Sequence, residues 1–339
     1  MSKTFRRIFS LFFSALMVLS LISCGKGSSV DIPDEYADYV IPWERAVTAQ
    51  AVEDGRIHYY FMSGEGGEYG AEDSRNKWGD SCLVVFPNGQ TMLIDSGMAD
   101  YGPVLKLNLQ LLGIEKLDYF LLSHPHNDHG YGAVKGNLLQ DFGVEEVFYS
   151  GIYNAAWGEP RIVENICKQM NVPCTVLQQG EKLTFGDVTM EVLWPQPEMV
   201  GVTMNKTADI NNTSLVVRFD YGEHSSLFTG DLYMAGERQI MATQGEKLDV
   251  DLLKMCHHGD DTSNHRGFGE ATTPEIAVAT GYVYVTTQTY QTYTRHGAKV
   301  LLDTEDGYIH VSADSSGEMT SETSRERKIN IYEKYEYQG

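Results

Sequence analysis

The chain has 339 residues, enough for one large domain or two modest ones, and its 42% hydrophobic and 22% charged content is ordinary for a soluble globular protein. Its formal net charge of −21 argues against a broad nucleic-acid-binding face, because such a face needs lysine and arginine side chains to neutralise phosphates. A local cleft could still hold one phosphate group.

The N-terminus has the pattern of an export signal. A positively charged start is followed by an apolar run, residues 8–22, which is shorter than the roughly 20 residues that a membrane span needs. The run ends in the sequence LISCG (residues 21–25), which resembles the lipobox of bacterial lipoproteins; a plain secretory peptide is the alternative. The resemblance implies that Cys24 is acylated and anchors the protein in the cell membrane or the outer membrane, facing outside the cytoplasm.

The rest of the chain reads as a tether and one domain. Residues 25–46 follow the signal peptide (1–24) and begin with polar, turn-forming sequence, which predicts a flexible tether. No repeat or second linker interrupts residues 47–339, so we expect a single domain there. Cys167 and Cys174 are close enough in sequence to form a disulfide in an oxidising compartment, but two ordinary reduced side chains explain them equally well.

Within this domain, strand-like runs alternate with single helices. Strands are predicted at 47–52, 57–62, 81–86, 91–94, 117–122, 145–149, 174–177, 182–185, 188–194, 215–219, 226–229, 250–255, 276–279, 299–303, 308–313 and 328–335. Apolar residues at helical spacing predict helices at 101–112, 161–170 and 234–242. This order predicts an α/β protein in which two sheets pack together with helices outside them.

Four side chains that can bind metal follow the apolar strand 117–122. They are His124, His126, Asp128 and His129, in a predicted turn, and a loop mounted on a rigid strand end is where binding groups are usually displayed. Three imidazoles and a carboxylate would be poor core material, because each needs a polar partner. A transition metal satisfies all of them with nitrogen and oxygen ligands, so the cluster predicts a metal site.

Two later strands end in the same kind of residue. Strand 226–229 is followed by Asp231, and a carboxylate at a strand end can bridge two cations. Strand 250–255 is followed by the imidazole pair His257 and His258. Each feature alone is weak, but three such strand ends in one chain strengthen the prediction of a metal site.

These motifs resemble those of the metallo-β-lactamase superfamily. HPHNDHG at 124–130 resembles its HxHxDH motif, LIDSG at 93–97 resembles a strand end upstream of that motif, and TGD at 229–231 resembles the segment of its bridging aspartate. The resemblance covers roughly residues 47–339. It implies a four-layer αββα sandwich with the site at the sheet edges.

Within the superfamily, the pattern is most similar to the soluble domain of ComEC-type competence DNA-uptake proteins, and phosphorylcholine esterases of bacterial surfaces look similar too. The matching segments are GDS at 79–81, NNTSLV at 211–216, LKMCHHG at 253–259 and the late His296. One departure is Asp260, which stands where that group has a serine. A carboxylate there would repel an anionic substrate and puts a polyanion in doubt.

The resemblance implies two divalent metal ions. His124 and His126 would bind the first ion, Asp128 and His129 the second, and Asp231 would bridge them. The two ions would activate a shared water near neutral pH, which makes Asp128 and Asp231 part of the catalytic machinery.

Other matched residues receive supporting roles. His257 would complete the second ion's ligands in preference to His258, because adjacent residues of a strand face opposite sides. Asp95 would accept a hydrogen bond from a metal-bound imidazole, or alternatively cap the following helix. His296, on a predicted loop, would donate to a substrate oxygen or the leaving group, or would be an ordinary solvated histidine.

Asn211 and Ser214 stand where a third histidine of the first metal site is expected. The same replacement occurs in the ComEC-type group, and oxygen ligands in place of an imidazole make zinc or manganese the expected metal. We place both residues around the metals or against the substrate.

Three functions remain open at this point. The first is an exported metal-dependent phosphodiesterase or nuclease acting on a small-molecule or polymer substrate. The second is a hydrolase of carboxylic esters, lactones or β-lactams, which would use the same site. The third is a surface lipoprotein that binds a ligand without turnover.

Overall fold

A computed structural model describes residues 30–62, 79–281, 285–327 and 332. The predicted signal peptide with Cys24 lies outside these ranges, as does the predicted strand 328–335 apart from residue 332. Within the described ranges, every helix is too short or too polar to cross a lipid bilayer.

The described chain contains strands β1 to β17 and helices α1 to α10. The strands are β1 Ile57–Phe61, β2 Cys82–Val85, β3 Thr91–Ile94, β4 Leu117–Leu122, β5 Val144–Tyr149, β6 Tyr153–Asn154, β7 Cys174–Val176, β8 Lys182–Phe185, β9 Val188–Trp194, β10 Thr203–Met204, β11 Val216–Tyr221, β12 His224–Phe228, β13 Leu252–Lys254, β14 Ile276–Ala279, β15 Lys299–Leu302, β16 Ile309–Ala313 and β17 Met319–Thr323. The helices are α1 Val47–Asp54, α2 Gly102–Leu111, α3 Asn127–Val134, α4 Leu138–Phe142, α5 Ile162–Met170, α6 Thr207–Asn211, α7 Met234–Gln244, α8 Arg266–Thr272, α9 Thr287–Thr294 and α10 Asp303–Asp306.

Two large sheets form the centre of the fold. The first sheet has the order β17-β16-β1-β2-β3-β4-β5-β7, and the second has the order β15-β14-β13-β12-β11-β9-β8. Apolar side chains of both sheets pack into one buried cluster, which includes Tyr59 and Val84 from the first sheet and Val192 and Val217 from the second. The αββα sandwich expected from the sequence is confirmed.

Helices cover the outer side of the second sheet. A second buried cluster joins that sheet to α7, α8 and α9 through Ile240, Phe268 and Tyr293. Strands β12, β13, β14 and β15 run parallel to one another, so their carboxyl ends lie along one edge. That edge positions the candidate site.

The start of the folded body differs from the prediction. The run 47–52, predicted as a strand, is the first part of α1, whose Val47 and Ala51 lie one turn apart and are both buried. The helix ends at Gly55, which has a φ of 64° that favours glycine. The predicted tether is also too long, because Ile41 and Trp43 are buried and the packed body therefore begins before residue 47.

Two further expectations bear on the chain's chemistry. Cys167 and Cys174, for which a disulfide was one of two interpretations, are free thiols in the structure. Helix α9, Thr287–Thr294, occupies most of the segment before His296 that was predicted as a loop. The Thr286 side chain accepts a hydrogen bond from the Thr289 backbone N–H and starts this helix, and Tyr290 and Tyr293 bury one face of it.

A buried histidine pair on the outer face of the first sheet predicts loss of stability in acid. His58 Nδ1 lies 3.1 Å from His310 Nε2, with Asp54, Arg45 and Glu322 around the pair. Burial, together with His58 and Arg45, lowers the pKa of His310 from 6.5 to about 4. The folded state therefore favours neutral His310. The contribution of this residue to the free energy of unfolding is complete above pH 6.5 and is lost as the pH falls towards 4.

We expect the free energy of unfolding to fall between pH 7 and pH 4.5, with His310 contributing about 2 kcal/mol of the loss. Urea unfolding with chelator present measures this without a contribution from bound metal. His310→Phe keeps a ring stacked on Tyr60, 4.2 Å away between centroids, but cannot titrate. Its unfolding free energy should change less over the same range; an unchanged pH dependence would contradict the assignment.

Candidate metal centre

The segment that carries the histidine motif leaves the end of β4 and turns directly into α3. His126 flanks the helix, Asp128 lies in its first turn and His129 lies within it, so the predicted turn is the start of a helix. A neighbouring segment packs tightly against this start. A Cβ on Gly79 would lie 2.0 Å from the Asp128 carbonyl oxygen, and Gly79 has a φ of 82°, so only glycine fits there.

The Asp231 carboxylate lies at the centre of the candidate site. Its Oδ2 lies 3.7 Å from His124 Nε2 and 3.2 Å from His129 Nε2. The same oxygen lies 3.8 Å from His257 Nε2 and 3.4 Å from His258 Nε2. Two stretches that are far apart in sequence therefore converge on one oxygen atom of a third.

The side chains form two groups that share Asp231. In each group, one possible ligand atom per residue lies within 4.8 Å of all the others. The first group is His124, His126 and Asp231, and the second is Asp80, His129, Asp231 and His258. Imidazole nitrogens and carboxylate oxygens are the donor set that zinc and manganese accept.

The buried polar atoms of the centre support a fit to metal. His129 Nε2 and Asp231 Oδ1 are buried and make no hydrogen bond within the protein. Burying such atoms without a partner is unfavourable, and a cation would satisfy both. Residues 124, 129 and 231 are at most 2% exposed, so the charge of a bound ion would act at low dielectric.

The charges of the buried side chains also favour a bound cation. Burial disfavours charge on His129, but Asp231 and Asp95 outweigh burial and raise the pKa of this imidazole well above its ordinary value. Burial would raise the pKa of Asp231, but His129, His258 and His124 lower it well below its ordinary value. The cluster therefore attracts positive charge, and a metal ion would compete with protons for the same atoms.

The preference for His257 over His258 is corrected by the structure. Both residues have left-handed backbone conformations, with φ of 46° and 57°, so the alternation of a strand does not apply beyond β13. His258 is buried and belongs to the second group. His257 is one fifth exposed, and its Nδ1 is hydrogen-bonded to Thr262 Oγ1 at 2.7 Å.

Asp128 lies beside the second group rather than inside it. Its Oδ2 is 3.5 Å from His258 Nε2, and its side chain is 22% exposed. His258 and His129 outweigh burial and lower the pKa of Asp128. The carboxylate is therefore ionised and borders the site from its open side.

Ser214 contacts the backbone of Asp231, and Asn211 lies beside Tyr233. The Asp231 backbone N–H donates to Ser214 Oγ at 3.1 Å, which holds the end of β12 in place. Asn211 is fully buried. An interaction with Asn211 lowers the pKa of the Tyr233 hydroxyl, although burial raises it overall.

The catalytic role predicted for His296 is wrong. This residue follows α9 and precedes β15, so it lies at the amino end of that strand. Asp231 and His258 follow the carboxyl ends of β12 and β13, which are parallel to β15, so they lie at the opposite edge of that sheet. His296 therefore cannot reach a substrate held there.

Two buried residues of the centre received no role from the sequence. Asp80 belongs to the second metal group, and Lys254 forms an ion pair with it. Both lie in matched segments, GDS and LKMCHHG, whose positions were the available signal. Neither segment alone indicates that its charged residue faces the histidines.

Asp95 makes the contacts expected of a residue that orients a metal ligand. Its Oδ2 accepts hydrogen bonds from His129 Nδ1 at 2.8 Å and from Ser123 Oγ at 2.6 Å. Its Oδ1 accepts one from the Ser123 backbone N–H at 2.8 Å. It is not the cap of the following helix, a 3₁₀ turn at Ala99–Tyr101 that is preceded by Met98.

Asp95→Asn should weaken metal binding about 10- to 100-fold. A neutral amide accepts a weaker hydrogen bond from His129 Nδ1 than the carboxylate does, so it would hold His129 Nε2 less firmly towards a bound ion. Asparagine also tolerates the φ of 59° at this position, so the fold should be retained. Calorimetric titration of chelator-treated protein with zinc or manganese measures the affinity. An affinity equal to that of the wild type would show that this hydrogen bond is not needed.

Comparison with known proteins gives a family match over the centre. A model of the metallo-beta-lactamase superfamily matches residues 76–265. Competence protein ComA of Neisseria gonorrhoeae is 30% identical over 233 residues, which are 66% of this chain and 29% of the relative. ComE operon protein 3 of Bacillus subtilis (strain 168) is 26% identical over 254 residues, 68% of this chain and 31% of the relative.

The chain thus spans about three tenths of the length of these curated relatives. Among solved structures, the metallo-beta-lactamase fold protein YhfI from Bacillus subtilis is 16% identical with a TM-score of 0.48, covering 79% of this chain and 99% of that one.

Proposed function

Because this chain belongs to the metallo-β-lactamase superfamily, we propose that it is an exported hydrolase that uses a dinuclear metal centre to cleave phosphodiesters. The observation that carries the proposal is the position of Asp231. One of its oxygens lies between 3.2 and 3.8 Å from imidazole nitrogens of two separate segments, and Asp231 is shared by both ligand groups. A carboxylate so placed is suited to bridging two cations.

The division of labour among the residues follows from the two groups. His124, His126 and Asp231 would hold one ion; His129, His258 and Asp231, with Asp128 beside them, would hold the other. Two such ions, when bound, supply Lewis acidity and a water activated for attack near neutral pH. Asp95 keeps His129 oriented, and the burial of His124 and Asp231 excludes bulk water from the inner side of the centre.

The choice of a phosphodiester rests on the competence proteins among the relatives and on the ComEC-type order of motifs. Charge around the centre limits the kind of phosphodiester. Asp260 Oδ1 lies 3.7 Å from His257 Nδ1, at the exposed rim, and the whole chain carries −21. We therefore propose a substrate with few negative charges at the cleavage site rather than a long nucleic acid.

A substrate panel tests the proposal. Purified protein with zinc or manganese should hydrolyse bis(p-nitrophenyl) phosphate, and Asp231→Ala should not. Faster turnover of lactones or nitrocefin than of the phosphodiester would instead favour an ester or β-lactam hydrolase. Two bound ions per chain without turnover of any of these compounds would overturn the phosphodiesterase assignment.

Export with a lipid anchor is a second part of the proposal, and its support is the LISCG sequence at 21–25. Cells expressing the full chain should incorporate radiolabelled palmitate into the protein and retain it in the membrane fraction. Cys24→Ala should abolish the labelling. Equal labelling of the two proteins would contradict acylation at this cysteine.

A further inference from the structure

A lysine is buried directly beneath the metal centre. Lys254, the last residue of β13, is 2% exposed. Its Nζ pairs with Asp80 and donates to the Gly230 carbonyl oxygen at 3.2 Å. A buried ammonium is unfavourable unless it is paired, so Asp80 is its essential partner.

The same ammonium faces the bridging carboxylate. Lys254 Nζ lies 3.9 Å from Asp231 Oδ1, which is too far for a hydrogen bond, and this oxygen has no hydrogen-bond partner within the protein. The other oxygen of Asp231 faces the imidazoles. Lys254 is thus one short movement away from bonding the carboxylate that would bridge the ions.

Asp80 is held rigidly in the position that prevents this movement. Its backbone N–H donates to the Asp128 carbonyl oxygen at 2.8 Å, and its own carbonyl oxygen accepts from the Gly97 backbone N–H at 2.9 Å. Its carboxylate is buried and ionised, because Lys254, His129 and His258 outweigh burial and lower its pKa.

A small cavity lies beside the lysine. The cavity has a volume of about 10 Å³ and is lined by Asp80, Asp95, Ser123, Gly230 and Lys254, with apolar side chains below. This is about the space of one water molecule. Without the hold of Asp80, the Lys254 side chain could change rotamer and close the gap to Asp231.

We propose that Asp80 is a positioning residue that holds Lys254 away from Asp231, so that the bridging carboxylate stays available to cations. The inference rests on the proposed dinuclear centre. Lys254 in turn neutralises one carboxylate of a centre that contains several. The alternative role for Asp80 is direct ligation of an ion, because it also lies close to His129, Asp231 and His258.

Three variants distinguish the two roles: Asp80→Asn, Lys254→Met and the double variant D80N/K254M. Each is stripped with chelator and titrated with Mn²⁺ or Zn²⁺ by calorimetry. Asp80→Asn should weaken metal binding about tenfold or more, because the released ammonium competes for Asp231. The double variant, which lacks the competing ammonium, should recover an affinity near that of the wild type.

Recovery in the double variant supports the inference, and an affinity as low as that of Asp80→Asn overturns it in favour of direct ligation. If Asp80→Asn does not fold, Lys254→Met decides: binding at least as tight as in the wild type supports the inference, and weaker binding overturns it. Wild-type protein that binds no ions would instead overturn the dinuclear centre itself. The two failures are therefore separable.

Discussion

Asp231→Asn should reduce hydrolysis by at least about a thousandfold, which corresponds to about 4 kcal/mol of transition-state stabilisation. Asp231 is the only described residue in both ligand groups, so its loss affects both ions together. An amide keeps the shape of the side chain but removes the negative charge that lies among the imidazoles. Metal content should fall below two ions per chain, measured by elemental analysis alongside turnover of the phosphodiester.

The matched control is Asp141→Asn, which makes the same chemical change on α4, where the side chain is 56% exposed and 3.8 Å from Lys106. This variant should keep the metal content and turnover of the wild type, since exposed ion pairs contribute little. An Asp231→Asn protein that folds, retains both ions and turns over at a comparable rate would remove the basis of the proposed function.

Replacing the two adjacent histidines should have clearly different effects. His258→Ala should lose one ion and reduce turnover by about a hundredfold or more, because His258 is buried in the second ligand group. His257→Ala should retain both ions and lose at most about tenfold, because His257 lies at the rim and is bonded to Thr262.

Each histidine variant is the control for the other, since the two sites are neighbours and the substitution is identical. Metal content per chain is the first measurement, and turnover at saturating metal is the second. The reverse order of effects would restore the assignment of His257 that strand alternation predicts.

The strands and most of the site were predictable from the sequence for the same reason. Runs rich in β-branched, aromatic and other apolar residues, such as 57–62 and 188–194, favour buried strands. The histidine and aspartate motifs follow the ends of other strands of this kind. The convergence of His124, His129 and Asp231 followed from the family motifs.

The wrong predictions concern local backbone conformation, which the spacing of apolar and polar residues does not encode. The run 47–52, which begins and ends in valine, was predicted as a strand, but the alanines and glutamine between the valines favour α1. Threonine-rich sequence concealed α9, whose helix depends on the Thr286 cap and on burial of its tyrosines, and His296 was misplaced with it. His257 and His258 were exchanged because left-handed backbone ended the strand periodicity.

Asp80 and Lys254 illustrate what a sequence cannot indicate. Their interaction joins residues 174 positions apart, one at the entry to β2 and the other at the end of β13. Nothing near either residue shows that the other is its partner. Only the packing of the two sheets brings the pair together beneath the histidines.

The centre draws its side chains from both sheets: His124 follows β4 in the first, and Asp231 follows β12 in the second. Ions bound there would add a cross-link between two layers that are already joined at this edge by the Asp80–Lys254 ion pair. Adding zinc or manganese should therefore slow amide hydrogen exchange at the carboxyl ends of β4 and β12 together. Amide hydrogen exchange in the edge strands β8 and β17 should not change.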